Sequence, residues 1–220
     1  MNAREPLGSR RTACAAALAF LALAGGCSAL RPAATPSPTG FHSIDASAWP
    51  PVAPHKPTVA PTLTLLVGNP RSSAGFDSQR MIYTRRAHTL EYFAHNEWVD
   101  TPARMLAPLL VAAVAESGAF RAVARMPSTA DGALRLDTEV LVLQQEFLTQ
   151  PSRVRFALRA ELVADERRAV IASRVFEAEV AASADAPYAG VVAANQAVRD
   201  VLVRLAAFCA EAAAGWKAPP

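Results

Sequence analysis

The sequence has 220 residues, of which 52% are hydrophobic, and a formal net charge of +3. Removing residues 1–26, which read as an export signal, takes away three Arg and one Glu. This leaves 19 basic and 18 acidic residues, a net charge of +1. A charge this small excludes a strong electrostatic attraction to nucleic acid, and the remaining length is enough for one ordinary folded domain.

The N-terminus carries the pattern of an export signal. Three arginines lie within residues 4–11, and an uncharged run follows over residues 12–24. A membrane-spanning helix needs about twenty apolar residues, and this run is nearer the length of a signal peptide. We therefore predict that residues 1–26 are a cleaved signal.

The residues that end this signal resemble the lipobox of bacterial lipoproteins. Gly25 and Gly26 stand directly before Cys27, although Ala24 occupies a place where Leu is usual. From this resemblance we predict that Cys27 carries acyl chains such as palmitate. Several such chains hold a protein at a bilayer durably. Ser28 follows the cysteine where lipoproteins kept at the inner membrane commonly have Asp, which favours the outer membrane, facing the periplasm. The alternative is a plain secretory signal that leaves Cys27 as a free thiol.

Residues 27–61 are predicted to form a tether. Proline removes backbone donors and favours an extended conformation, so this segment is not expected to build a core. Phe41 and Trp49 are its two aromatic exceptions, and either could dock onto the domain or the headgroup region. Eight prolines lie in the segment, at positions 32, 36, 38, 50, 51, 54, 57 and 61.

The folded domain is predicted to span residues 62–212, with a C-terminal tail over residues 213–220. It begins with a β-type run, residues 62–67, and continues with a hairpin over residues 80–94. A helix is expected from Asp100-Thr101-Pro102, capped by a side-chain oxygen, to a stop at Gly118. Pro108 within it should bend the helix or delay its start. A short strand over residues 120–124 follows.

The second half of the domain is predicted to be a three-stranded antiparallel meander and a helix. Residues 134–148, 153–162 and 170–181 are long β-type runs, and the middle one alternates apolar residues with Arg153, Arg155 and Arg159. From Pro187 onward, apolar residues recur at helical spacing. The fold class is therefore α+β: an antiparallel sheet with a long meander and two amphipathic helices packed on one face. Tyr188, Val191, Asn195, Val198, Val201, Leu202, Leu205 and Phe208 form the helical stripe.

No catalytic motif is found in the sequence. His88 and His95 with Glu91 and Glu97 do not converge at strand spacing, so no metal site is predicted, and the same holds for any cofactor. Cys209 lies on the apolar side of the last helix and is predicted to be a core residue. The protein is therefore predicted not to be an enzyme. An anchored hydrolase would require a converging polar pocket.

Four segments resemble the ABC-type transport auxiliary lipoprotein family, typified by the PqiC intermembrane transport lipoprotein. They are DSQRMIYTR (77–85), LEYFAHNEWVDTPARMLAPLLVAAVAESGAFRAV (90–123), LRLDTEVLVLQQEF (134–147) and AANQAV (193–198). The resemblance covers the order of pieces in the whole folded part, and Pro108 departs from it.

The resemblance implies a non-catalytic lipoprotein that faces the periplasm. It would act with an MCE-domain protein and an ABC permease and ATPase in moving lipids between membranes, and it could assemble into homo-oligomers. The candidate partner-binding residues are Arg155 and Arg159 on the wet face of the sheet, and Tyr83 and Trp98 in the hairpin region; for Trp98 a role in the core is the alternative. The alternative function is an outer-membrane lipoprotein that itself binds lipid or assists envelope assembly, which requires an apolar cavity.

Overall fold

The computed structural model describes residues 38–47 and 61–216, which lie almost entirely in one unit of the chain that starts at Thr39. The predicted signal peptide, Cys27 and Trp49 lie outside the described residues. The predicted α+β class is confirmed, since the described part is a mostly antiparallel sheet with two helices packed against it. The elements in chain order are β1 (Gly40–His42), β2 (Thr64–Val67), β3 (Arg71–Ser72), β4 (Arg80–Thr84), β5 (Glu91–Trp98), α1 (Pro102–Glu116), β6 (Ala122–Arg125), β7 (Leu134–Glu146), β8 (Arg153–Ala164), β9 (Ala169–Ala181) and α2 (Pro187–Gly215).

The meander is confirmed as the largest part of the sheet. β8 pairs antiparallel with β7 along one edge and with β9 along the other, and Leu158 lies between Val140 and Phe176. Alternate residues of β8 are buried, and Phe156 and Leu158 are fully excluded from solvent. Successive side chains of a strand point to opposite faces, so the alternating pattern decides which face is dry.

Strand β7 is the centre of the sheet because its second edge serves three short strands in succession. β2 pairs with its start, β3 with its middle and β4 with its end, all in the parallel direction. β2 is also parallel to β6, and α1 lies in the connection between them. Parallel neighbours need such long crossovers. The sequence pattern predicted antiparallel pairing alone, and it did not indicate these parallel pairs.

Helix α1 begins where predicted, but a different side chain from the one expected bonds at its start. Thr101 makes no side-chain hydrogen bond to the first turn. Instead Asp100 accepts a hydrogen bond from the Thr101 backbone N–H at 2.8 Å and pairs with Arg104 at 3.1 Å. The helix begins at Pro102, so Pro108 does not delay its start. Pro108 lies inside the helix, on its exposed side. Gly118 has a φ of 66° just beyond the helix, as expected of a glycine stop.

Helix α2 lies across the dry face of the meander. Its fully buried residues include Val198, Leu205 and Cys209, and the ring of Phe208 meets that of Phe176 edge to face at 5.7 Å. The helix continues to Gly215 and buries Ala213, so the predicted tail does not begin at residue 213. Small residues allow this close approach. The alanine-rich end of the helix therefore stays packed in the core beyond Phe208, the last large apolar residue of the predicted stripe.

One part of the predicted tether belongs to the sheet. β1 pairs in parallel with β5, and Ile44 just after it is buried. The tether prediction is therefore wrong for this segment. Its physical reason is local: Pro38 is the last proline before Pro50, so residues 39–49 keep every backbone donor and can join a strand.

Candidate functional site

The candidate chemical groups of the sequence, its histidines and Cys209, are separate from one another in the part of the chain that the structure describes. No group of three or more His, Cys, Asp or Glu side chains in them could hold a metal ion. His88 lies in the hairpin turn with a φ of 64°, and His95 is exposed on β5. Cys209 is buried, as predicted, and burial raises the pKa of its thiol to about 12. A thiol with so high a pKa is not a nucleophile at neutral pH.

The side of the meander that faces away from the helices, the open face, carries a lattice of ion pairs. Arg155 pairs with Glu177 on the neighbouring strand, and this pairing raises the pKa of Arg155 and lowers that of Glu177. Arg159 pairs at 2.7 Å with Glu139 of β7, the strand along the other edge of β8. The sequence placed both arginines on this wet face correctly. It could not show that each is already neutralised by an acid of the same sheet.

We name a second surface the hairpin end: it is formed by the β4–β5 turn and the loop after β7. Aromatic and apolar side chains prevail there, in contrast to the ion pairs of the open face. The two segments are joined by a hydrogen bond from the Phe147 N–H to the Thr84 carbonyl at 2.8 Å. Tyr83 contacts Phe147 edge to face at 5.7 Å, and it also contacts Phe93 at 4.5 Å. The Tyr83 hydroxyl donates to Glu91, which is paired with Arg85. Three large apolar side chains of this end are exposed: Leu90, Tyr92 and Leu148.

Trp98 does not belong to any surface. It is only 4% exposed and packs in the core at the end of β5. Its proposed role as a partner-binding residue is therefore wrong, and the alternative, a core residue, is correct. The physical reason is register. Trp98 pairs with His42 of β1, so the segment that follows β1 covers this end of the sheet.

A groove lies between residues 41–47 and the first half of α2. Its volume is about 470 Å³. Tyr188 at the start of α2 was assigned to the apolar stripe, but it is 68% exposed and its ring lies 6.2 Å from that of His42. Asn195 is the only polar member of that stripe. Its amide holds the chain after β1 by donating to the Ser43 carbonyl and accepting from the Asp45 N–H.

Among the described residues, neither helix combines the length and the hydropathy that crossing a bilayer requires. The predicted lipidation site, Cys27, lies outside them.

The family model described as "ABC-type transport auxiliary lipoprotein component" matches residues 48–206. Among solved structures, the chain is similar to protein XCC0632 from Xanthomonas campestris, with 23% identity and a TM-score of 0.66 over 80% of this chain and 94% of that one. It is also similar to an uncharacterized protein at 13% identity and a TM-score of 0.60, over 79% and 99% of the two chains. These likenesses show the fold. The search of curated proteins gave no match.

Proposed function

The chain belongs to the family of ABC-type transport auxiliary lipoprotein components, and from this premise we propose that it is a non-catalytic adaptor at the outer membrane that docks an MCE-domain partner. The partner and an ABC permease and ATPase would move lipids between the two membranes of the envelope. The single observation that carries this proposal is the family match over residues 48–206, nearly all of the described domain.

The proposed anchor is an acylated Cys27. The pairing of Gly40 with Asn96 shortens the tether that the sequence suggested, since only residues 28–39 separate the cysteine from the sheet. At about 3.1 Å per residue, twelve residues reach at most about 40 Å when fully extended, and as a flexible coil about 20 Å. The domain would therefore remain close to the bilayer that holds the lipid.

The hairpin end is the surface that we propose for the protein partner. Protein interfaces are enriched in aromatic side chains and Arg at their centres. At this end the Arg85 guanidinium lies 5.7 Å from the centre of the Tyr83 ring, and the exposed Tyr92 ring has the Arg80 guanidinium 4.4 Å from its centre. The open face supports docking less well. A partner would have to separate Arg155 and Arg159 from acids that already neutralise them, and it would gain little in exchange.

The alternative, a domain that itself carries lipid, finds no support in the space between the sheet and α2. The cavity there, lined by Met81, Phe93 and Gly190 among others, measures about 10 Å³. A cavity of this size holds about one water molecule. An acyl chain would need many times that volume.

The test is co-purification of the native lipoprotein from detergent-solubilised envelopes, with identification of the proteins that accompany it. We expect MCE and ABC components with the wild type and their loss with the double variant Leu90→Ser, Leu148→Ser. Both side chains are about half exposed, so the domain should fold normally. Val175→Ser, at an equally exposed position on β9, is the matched control. Absence of MCE and ABC components from the wild-type preparation would overturn the proposal, and equal recovery with all variants would overturn the assignment of the surface.

A further inference from the structure

The groove beside β1, which we name the anchor-side groove, exposes an apolar cluster close to the point where the chain enters the domain. Phe41, Tyr188 and Val192 all line it and are 64%, 68% and 53% exposed. Single exposed apolar residues are ordinary on a protein surface, whereas several around one concavity mark an interaction site.

The cluster is held in place by the fold. Ile44 is buried, and the His42 carbonyl accepts a hydrogen bond from the Val99 N–H at 2.8 Å. Asn195 then fixes the next residues from the helix side through its bonds to Ser43 and Asp45, at 3.1 and 3.0 Å. Phe41 is therefore carried by an ordered strand, and little conformational entropy is lost when its ring contacts another surface.

The groove carries one acid, Asp45, and one base, Arg199, and the base suits an anionic group as a further contact. Asp45 is satisfied locally, because the hydroxyls of Ser43 and Ser47 donate to it and lower its pKa. Arg199 also lines the groove, and among the described residues it has no ion-pair partner. A guanidinium is well matched to phosphate oxygens, and its long stem can lie along apolar surface while the head stays hydrated.

The length of chain before the groove indicates what covers it. Phe41 follows the predicted acylated Cys27 by fourteen positions. Apart from residues 38–40, which directly precede it, no described residue is closer along the chain to the predicted anchor. Aromatic rings with polar neighbours are the side chains that settle at the level of lipid headgroups.

We propose that the anchor-side groove is a membrane-contact surface. Phe41, Tyr188 and Val192 enter the headgroup region of the bilayer that holds the anchor, and Arg199 binds lipid phosphates there. The inference rests on the proposed lipid anchor, and it adds a second contact that fixes the orientation of the domain. With this surface on the bilayer, the hairpin end lies away along β5. Glu91 pairs with Tyr83, and Glu97, the partner of Phe41, pairs with Arg80; these two positions of β4 are three residues apart, which corresponds to about 10 Å of strand.

The experiment uses the full lipoprotein reconstituted into vesicles of phosphatidylethanolamine and phosphatidylglycerol. A polarity-sensitive fluorophore is attached to Val192→Cys, or to Val175→Cys as the control at an equally exposed site on the meander. The native Cys209 is buried and should not react. We expect a blue shift and quenching by brominated lipids for the probe at 192, and neither for the probe at 175. Combining Val192→Cys with Phe41→Ser and Tyr188→Ser should reduce the quenching.

The outcomes separate this inference from the proposed function. A wild-type protein that fails to float with the vesicles would overturn the anchor and the inference with it. If the protein floats while the probe at 192 stays in water, only the inference is overturned. Equal quenching at both positions would show contact without a preferred face, and a blue shift without lipid quenching would mean that a protein covers the groove. Either of these results also contradicts the inference.

Discussion

The two faces of strand β8 carry different interactions. On the helix side, Phe156, Leu158 and Leu162 are completely buried against β7, β9 and α2. On the open face, Arg155 and Arg159 remain partly in water and pair with acids of the adjacent strands. Apolar burial contributes about 25 cal/mol per Å², whereas exposed ion pairs contribute little. The dry face therefore provides most of the stability, and on the open face Arg155 and Arg159 are already paired with acids of the same sheet.

The largest expected effect is on the dry face. Replacing Phe156 by Ala should lower the free energy of unfolding by about 3–5 kcal/mol, because the substitution removes a fully buried ring and leaves a cavity under α2. Urea titration followed by circular dichroism measures this change. Arg155→Ala, one position earlier and on the other face, is the control. If the two variants were equally destabilised, the distinction between the faces would be wrong.

A smaller effect is expected where Gly190 of α2 lies against Gln145 of β7. A Cβ atom added at Gly190 would collide with the side-chain amide of Gln145, which is buried and bonded to Ser152 at 2.9 Å. Gly190→Ala should therefore cost about 1–3 kcal/mol by overpacking, although alanine favours a helix. Adding Gln145→Ala should relieve the collision. A double-mutant cycle in which the two changes are simply additive would contradict this contact.

The open face should show only a small, pH-dependent effect. Arg155 lowers the pKa of Glu177 below its usual 4.5, so the pair stabilises the fold above that pH and ceases to do so as the pH falls through the lowered value. Both side chains are more than a third exposed, so the contribution should be less than about 1 kcal/mol. Glu177→Gln should then match the wild type in acid and be slightly less stable at neutral pH. A difference that grows toward acid would have the wrong sign.

The last prediction is that the Cys209 thiol does not react with a thiol reagent in the native protein. Cys209 lies on the buried side of α2, which packs on the dry face, and burial raises the pKa of its thiol to about 12. A thiol reagent should leave it unmodified in the native protein and should label it at the rate of unfolding when urea is added. Mass spectrometry after timed exposure gives this rate. Rapid labelling without urea would show that the end of α2 opens locally and that the dry face is less cooperative than the comparison implies.

Part of this fold was predictable because its cause is local. Alternation along residues 153–162 is a property of neighbouring side chains, and the structure places Arg155 and Arg159 opposite Phe156 and Leu158 as predicted. Gly118 ends the first helix because glycine accepts a positive φ. Trp98 shows the limit. Whether it meets a partner or the core depends on β1, which lies more than fifty residues away in the sequence and was hidden in a proline-rich segment.

The sequence by itself determined the meander, the two amphipathic helices and the resemblance to transport auxiliary lipoproteins, since periodicity and the order of segments are properties of the chain alone. It also supplied the prediction of an anchor at Cys27. Only the tertiary structure decided that residues 40–47 join the domain, that the open-face arginines are neutralised, and that Tyr188 and Phe41 border one groove. These features depend on contacts between distant segments, whose formation is governed by strand register and packing rather than by the local pattern of either partner.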